Sequence, residues 1–153
     1  MPHNFDKLDV NILTMLAGNA RKPYLEISRE CGVSGAAVHQ RIQRLTANNV
    51  ILGSECLLNP EALGYETCAY VGVVLRDPSL YAEMVEKLKA IPEVVECYYT
   101  SGQYDIFAKV FAHNNDHLLS LLQRIQVLGW ACTETLICFK QIFKRQVPVD
   151  AKD

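Results

Sequence analysis

Four polar side chains follow one another along a short stretch of this chain and have the chemistry to bind nucleic acid. They are His39, Gln40, Gln43 and Arg44, and no acidic residue occurs anywhere in the range 34–52. Arginine can donate two hydrogen bonds to guanine, glutamine can pair with adenine, and both also reach phosphates. The pattern favours a helix in the major groove of double-stranded DNA, although a solvated helix face has a similar composition.

The start of the same stretch is small enough to approach a DNA backbone. Ser34 is a favourable N-cap, and Gly35 and Ala36 follow it without bulky side chains. The free N–H groups in the first turn of a helix form a natural site for phosphate. We therefore include Ser34, Gly35 and Ala36 among the candidate DNA-binding residues.

A second candidate site lies in the turn Ser101-Gly102-Gln103-Tyr104-Asp105. Glycine lets backbone N–H groups come close to the carboxylate of an amino acid, and Asp105 could accept hydrogen bonds from its ammonium group. The same Gly-x-x-Asp spacing also suits a plain hairpin turn in which Asp105 bonds its own backbone. Spacing alone favours the plain turn.

No pattern in the chain indicates an enzyme, a metal site or a cofactor. His113 and His117 have the i, i+4 spacing of helical metal ligands, but no glutamate lies between them and no third ligand is in register. The sequence contains no glycine-rich phosphate loop, nucleophile elbow or pair of carboxylates. A solvated helix start is the better interpretation of the two histidines.

The distribution of charge and the cysteine content restrict the classes of protein that the sequence can represent. The first 52 residues carry six basic and four acidic side chains, a charge of +2, and the remainder carries nine basic and thirteen acidic, a charge of −4. The six cysteines form no Cys-x-x-Cys pair, and we expect reduced thiols in a cytoplasmic protein. No run approaches 18 apolar residues, so membrane insertion is not expected.

Three helices are predicted to position the DNA-binding residues. Apolar side chains recur with helical spacing in the ranges 5–19, 24–31 and 35–48, and Gly32-Val33-Ser34 separates the second helix from the third. Asn48-Asn49 is a plausible helix end because asparagine tolerates the left-handed conformation. Helix, helix, turn and helix in this order predict a helix-turn-helix, followed by a short strand at residues 50–52.

The second half of the chain predicts a different architecture. The ranges 67–100 and 104–138 each contain a strand, a helix and a strand, which together give a ferredoxin-like βαββαβ domain in an α+β protein. The first of these strands is apolar on both faces, as a covered strand would be. We predict four parts, namely a helix-turn-helix domain (1–52), a linker or hinge strand (53–66), the ferredoxin-like domain (67–144) and a tail (145–153).

An ordered series of motifs resembles the leucine-responsive and asparagine-operon regulators, the Lrp/AsnC or feast/famine family. No single motif is specific, but the order is, and the series covers nearly the whole chain. Its members are Phe5-Asp6, Leu8-Asp9, Ile12-Leu13, Arg21, Glu26-Ile27-Ser28, Gly32-Val33-Ser34, Val38, Arg41-Ile42, Arg44-Leu45, Val50-Ile51, Asn59-Pro60, Leu63-Gly64, Gly102-Gln103-Tyr104-Asp105, Thr133-Glu134-Thr135 and Lys144.

The resemblance implies a transcription regulator with a winged helix-turn-helix and a C-terminal domain that binds an amino-acid effector. It also implies homodimers that assemble further, often to octamers. In the family's pattern Thr133 and Thr135 face the effector pocket across a subunit interface. Arg41 matches the family's arginine in the third helix and could contact phosphate, and a salt bridge from Arg41 to Glu30 or Asp9 is the alternative.

Two other functions remain open at this point. An architectural DNA-binding protein would compact DNA without responding to amino acids. Haem-pathway decarboxylases resemble this family in architecture and use histidines, so a bound tetrapyrrole would favour an enzyme. The expected function is a DNA-binding regulator that is not an enzyme.

Overall fold

The protein consists of two compact units. The computed structural model describes residues 4–127 and 129–150, and the side chains of residues 130–132 are outside this description. The outer limits predicted for the first domain and for the tail, residues 1 and 153, also lie outside it. One unit comprises Met1–Leu57 with Phe143–Asp153, and the other comprises Leu58–Ile142.

Three helices build the first unit, and their bounds are close to those predicted. They are α1 (Lys7–Gly18), α2 (Tyr24–Cys31) and α3 (Gly35–Ala47). Ile12, Ile27, Val38 and Ile42 pack together as the buried core of the unit. One apolar stripe from each helix thus closes a core that no single helix could bury.

The ends of α2 and α3 follow from local residue chemistry. Gly32 ends α2 with φ 67°, in the left-handed region that glycine adopts without a Cβ clash. The Ser34 hydroxyl then accepts a hydrogen bond from the Ala37 N–H, as an N-cap does. Asn49 follows α3 with φ 56°, which confirms the left-handed helix exit expected from the asparagine pair.

The prediction of a strand at residues 50–52 is wrong. The N–H groups of Val50 and Ile51 both donate to the carbonyl of Leu45, at 2.9 and 3.2 Å, and so complete the end of α3. The β-branched residues that suggest a strand are therefore used in a helix termination. Residues 4–66 contain no strand, so the hinge strand predicted within 53–66 is not formed either.

The second unit has the predicted βαββαβ order. After a 3₁₀ turn at Glu61–Leu63 come β1 (Thr67–Leu75), a 3₁₀ turn (Pro78–Leu80), α4 (Tyr81–Lys89), β2 (Val94–Tyr99), β3 (Ile106–Ala112), α5 (Asn115–Gln126) and β4 (Trp130–Cys138). The strands form one antiparallel sheet in the order β2-β3-β1-β4, which is the ferredoxin-like arrangement.

The sheet has one face that forms the core and one aromatic face. Val71 and Val73 of β1 belong to the buried cluster that also includes Leu88 of α4 and Leu121 of α5. Alternate residues point the other way and define what we call the open face. On this face Tyr70 stacks on Phe107 with 5.6 Å between ring centroids.

Gly72 lies at the centre of the open face, directly beneath Tyr104. A Cβ atom at residue 72 would lie 2.8 Å from three atoms of the Tyr104 ring, including Cγ, which is closer than van der Waals contact permits. The Tyr104 ring is also stacked with Phe107 at 6.1 Å. Any larger residue at 72 would therefore have to push the Tyr104 ring off the strand.

We expect Gly72→Ala to lower the free energy of unfolding by about 1–3 kcal/mol, the usual cost of overpacking. The change should cost less in a Tyr104→Ala background, because the ring that clashes is then absent. Urea denaturation of the four variants in this double-mutant cycle measures the coupling. Equal costs in both backgrounds would contradict the close contact.

Candidate DNA-binding face and effector turn

The face of α3 opposite the core is exposed and polar. Val38, Ile42 and Leu45 are buried. The exposed side chains recur three and four residues apart, so they form one continuous stripe, which comprises Ala36, His39, Gln40, Gln43, Arg44, Thr46 and Ala47. Of the predicted DNA-binding residues, all those in the helix therefore share this face apart from Gly35 and Arg41, which are half-buried, and Ser34 is the N-cap that precedes the helix.

Two glutamines in this stripe have side chains that are available to bind a partner. Within the described part of the chain, neither Gln40 nor Gln43 has a side-chain hydrogen bond, and His39 makes only a tilted ring contact with Tyr24 at 6.0 Å. Each glutamine keeps a donor and an acceptor for an external partner.

Both arginines of α3 are held by carboxylates at the start of α1. Arg44 Nη2 lies 2.7 Å from each oxygen of Asp9, and Arg41 Nη1 lies 3.1 Å from Asp9 Oδ1. Arg41 also bonds Asp6. Of the two interpretations of Arg41, the structure therefore contains the salt bridge, to Asp9 and not to Glu30, and it adds Arg44 as a second partner of Asp9.

Asp9 is the centre of this network. Its side chain is 1% exposed, whereas those of Arg41 and Arg44 are 29% and 50% exposed. Asp6 and Asp9 also form a capping box, in which each side chain accepts from the backbone N–H of the other residue. One buried carboxylate thus orients α3 against α1 and leaves outward parts of both guanidinium groups in solvent.

The network shifts the pKa values of its outer members. The Asp9 backbone N–H and then the Arg41 guanidinium lower the pKa of Asp6. The carboxylates of Asp6 and then Asp9 raise the pKa of Arg41. Both shifts favour the charged forms, so the ion pairs persist at neutral pH.

The predicted effector turn connects β2 to β3 and is tied to the end of β1. The Asp105 Oδ2 accepts from the Leu75 N–H at 2.7 Å, and the Asp105 N–H donates to the Val73 carbonyl at 2.9 Å. The Asp105 side chain therefore bonds a neighbouring strand rather than the backbone of its own turn. Its Oδ1 has no hydrogen bond to any residue in the ranges 4–127 and 129–150.

The rest of the turn is fixed by its own hydrogen bonds. Thr100 donates through its hydroxyl to the Tyr104 carbonyl at 2.8 Å and through its N–H to the Asp105 carbonyl at 3.0 Å. Gln103 Nε2 donates to the Tyr104 hydroxyl at 2.9 Å. Ser101 and Gly102 form the exposed tip, where Gly102 has φ 101°.

Thr133 and Thr135 lie on the opposite side of β1 from the turn. They pair with Val73 and Val71, so their side chains share the core-side face of the sheet. Tyr104 covers Gly72 on the open face. Within one chain the two threonines and the Tyr104 ring are therefore on different faces, and the structure does not bring all predicted effector residues together.

The two histidines singled out by their spacing fix the entry to α5. His113 Nδ1 lies 2.7 Å from the Gly64 carbonyl, and the His113 ring stacks on Tyr65 at 4.2 Å. The His113 N–H donates to His117 Nδ1 at 3.1 Å, and His117 Nε2 lies 3.6 Å from Glu93 Oε1. Each histidine thus contacts residues that precede α5, as expected for a structural role.

The described residues contain neither a metal-binding cluster nor a membrane-spanning helix. In the ranges 4–127 and 129–150, His, Cys, Asp and Glu side chains form no group of three or more that could hold a metal ion. No helix in the same ranges is long and apolar enough to cross a membrane.

Both units match known protein families. Residues 5–46 match the AsnC-type helix-turn-helix domain, and residues 68–148 match the Lrp/AsnC ligand binding domain. The chain is 37% identical over 147 residues to the Regulatory protein AsnC of Haemophilus influenzae, an alignment that covers 95% of this chain and 98% of the relative.

Solved structures match over the same extent. The structure of Escherichia coli AsnC superposes with a TM-score of 0.89 at 34% identity and covers 96% of this chain and 100% of its own. A feast or famine regulatory protein from M. tuberculosis, complexed with L-methionine, superposes with a TM-score of 0.87 at 30% identity, covering 94% and 99%. The chain therefore belongs to the Lrp/AsnC family of transcriptional regulators.

Proposed function

We propose that this regulator binds specific double-stranded DNA through α3 and senses an amino acid, or a closely related metabolite, through its second unit. The observation that carries the proposal is the exposed polar stripe of α3, whose two glutamines are unpartnered in the described residues. A stripe of this kind, backed by an apolar stripe in a three-helix core, matches the recognition helix of a helix-turn-helix.

The chemistry of α3 supports contact with both bases and backbone. Gln40 and Gln43 can each form a bidentate pair with adenine in the major groove, and His39 lies beside them. The N-terminal turn at Ser34, Gly35 and Ala36 offers backbone N–H groups to phosphate. This division assigns sequence selection to the glutamines and positioning to the helix start.

Arg41 and Arg44 are proposed as phosphate contacts that keep their bonds to Asp9. A guanidinium group has five N–H donors, and the network uses one terminal nitrogen of each arginine. The remaining donors can reach a phosphate without breaking the bonds to α1. Asp9 then acts as a positioning residue for both arginines.

A single copy of α3 is too small for tight specific binding. Specific protein–DNA interfaces bury on the order of 1,000–2,500 Å² of protein surface, more than one helix supplies. We propose a homodimer, with half-sites about one helical turn of DNA apart, and further assembly to an octamer. The second unit is the proposed site of this assembly.

Two features of the turn at 101–105 support an amino-acid site. Gly102 exposes backbone N–H groups at the tip, and Asp105 retains one carboxylate oxygen for an ammonium group. The M. tuberculosis relative complexed with L-methionine supports the ligand class. Because Thr133 and Thr135 share the other sheet face within one chain, we propose that a second copy supplies them to the pocket.

Fluorescence anisotropy with labelled DNA from upstream of regulated genes tests the whole proposal. The titrations are run with and without a panel of amino acids. We expect Gln40→Ala/Gln43→Ala to weaken specific binding by about 100-fold, since each bidentate pair contributes roughly 1–3 kcal/mol of base discrimination. Binding to unrelated DNA should change little.

Gln123→Ala/Gln126→Ala is the matched control, because α5 carries these two exposed glutamines at the same spacing. This variant should bind DNA as the unmodified protein does. Equal binding to all DNA sequences, with no change for any amino acid, would contradict the proposal and indicate an architectural protein.

A further inference from the structure

Two cysteines of the second unit lie directly opposite each other on adjacent antiparallel strands. Cys68 of β1 pairs with Cys138 of β4, and both thiols are free and half-buried. We propose that Cys68 and Cys138 form a dithiol site that low-molecular-weight disulfides, such as oxidised glutathione, convert into an intrachain disulfide.

The strand register meets the geometric requirement for this bond. Directly opposite residues in an antiparallel pair have Cα atoms about 4.5 or 5.5 Å apart. A disulfide accepts Cα separations of about 4.4–6.8 Å, so either type of pair is within range. Because partners across a ladder point to the same face, the two sulfur atoms face each other across the strands.

The position of the pair at the end of the sheet permits the small adjustment that a disulfide needs. Cys138 is the last residue of β4, and residues 139–150 continue without helix or strand. Cys68 is the second residue of β1. A shift of a few tenths of an ångström at Cys138 therefore moves only the end of β4 and leaves the middle of the strand in place.

The surroundings keep the site as a dithiol until an oxidant arrives. Burial raises the pKa of the Cys68 thiol, the nearby Lys109 ammonium partly opposes this, and the Cys138 thiol adds to it. Lys109 is itself held over the Tyr70 and Phe111 rings, at 5.9 and 5.3 Å from their centroids. Cys68 is therefore mostly protonated at neutral pH, and the adjacent Cys138 thiol makes closure of the disulfide an intramolecular step once a mixed disulfide has formed.

The exchange balances without a further reactant. One cysteine thiolate attacks a sulfur of glutathione disulfide, which forms a mixed disulfide and releases one glutathione thiolate. The second cysteine loses its proton and attacks the sulfur of the first, which forms the Cys68–Cys138 bond and releases the second glutathione. The two protein thiols are oxidised by two electrons, and the glutathione disulfide is reduced to two thiols.

The other described cysteines lack such a partner. Cys97 of β2 pairs with Ala108 and so faces the core side of the sheet, and Cys31 and Cys56 belong to the other unit. The side chain of Cys132 is outside the description. Oxidation should therefore link residues 68 and 138 before any other pair with a described side chain.

Incubation of the full-length native protein with oxidised glutathione tests the site. We expect the number of titratable thiols to fall from six to four per chain, with a dithiothreitol-sensitive link between the peptides containing residues 68 and 138. The midpoint of thermal unfolding of the second unit should rise by about 10 °C, because the bond constrains the unfolded chain. Cys68→Ser and Cys138→Ser should each remove both effects, and Cys97→Ser should keep them.

The urea-unfolded chain, treated in the same way, provides the reference for random pairing. Glutathione attached to Cys97 or Cys56 without any link between 68 and 138 in the native protein would overturn the proposal. A link between two chains instead of within one would also overturn it. A mixed disulfide between Cys68 and glutathione that persists without forming the Cys68–Cys138 bond would overturn it as well.

Discussion

Asp9→Ala should destabilise the DNA-binding unit by about 2–3 kcal/mol. The carboxylate is 1% exposed and bonds both Arg41 and Arg44, so its removal leaves Arg44 without its carboxylate partner and leaves Arg41 with Asp6 alone. Loss of one member of a fully buried pair costs about 3–5 kcal/mol. The expected cost is lower here because both arginines are partly exposed and can be rehydrated.

Hydrogen exchange of peptides from residues 7–47 localises this effect to the first unit. The variant should lose protection in α1 and α3 and bind specific DNA more weakly, since fewer molecules hold α3 in place. Asp116→Ala is the matched control, because Asp116 is an exposed acid in the first turn of α5. Unchanged protection across residues 7–47 in Asp9→Ala would rule out a central role for the carboxylate.

Asp105→Asn should shift the response to the effector to roughly ten- to a hundredfold higher effector concentration, while DNA binding without effector stays unchanged within about twofold. Asparagine keeps an oxygen that can accept from the Leu75 N–H, so the tie between the turn and β1 survives. It lacks the negative charge that an ammonium group requires. A hydrogen bond to a charged group contributes about 1.5–3 kcal/mol, so we expect effector affinity to fall roughly ten- to a hundredfold.

Isothermal titration of the effector into wild-type and variant protein measures the change, once the amino-acid panel has identified the ligand. Asp105→Ala is a less clear test because it also leaves the Leu75 N–H without its acceptor. Asp77→Asn is the control, since Asp77 is the exposed N-cap of the 3₁₀ turn before α4, and among the described residues its side chain bonds only the Ser79 N–H. An effector affinity in Asp105→Asn equal to that of wild type would remove Asp105 from the site.

Periodicity and helix-end residues were enough to predict most of the fold. The helix α2 has the bounds predicted from its apolar pattern, the strand β1 begins at residue 67 as predicted, and α3 begins after Ser34 as its N-cap chemistry requires. These features depend on residues close together in the chain. The error at residues 50–52 has the same origin, because a short β-branched run looks alike whether it forms a strand or closes a helix.

Contacts between distant parts of the chain were predicted less well. Arg44 and Asp9 are 35 residues apart, and only the possible pairing of Asp9 with Arg41 was considered. A signal was nonetheless available, since Asp6 and Asp9 have the same i, i+3 spacing as Arg41 and Arg44. The contact of Tyr104 with Gly72 had no such signal, because it depends on strand register.

The paired arginines of α3 have a consequence for how the protein searches a genome. Binding to arbitrary DNA depends mainly on phosphate neutralisation, and the charges of Asp6 and Asp9 offset those of Arg41 and Arg44. A genome offers roughly 10⁶–10⁹ competing sites. With α3 in the DNA-binding role proposed above, we expect this offset of charge to leave fewer molecules bound to unrelated DNA.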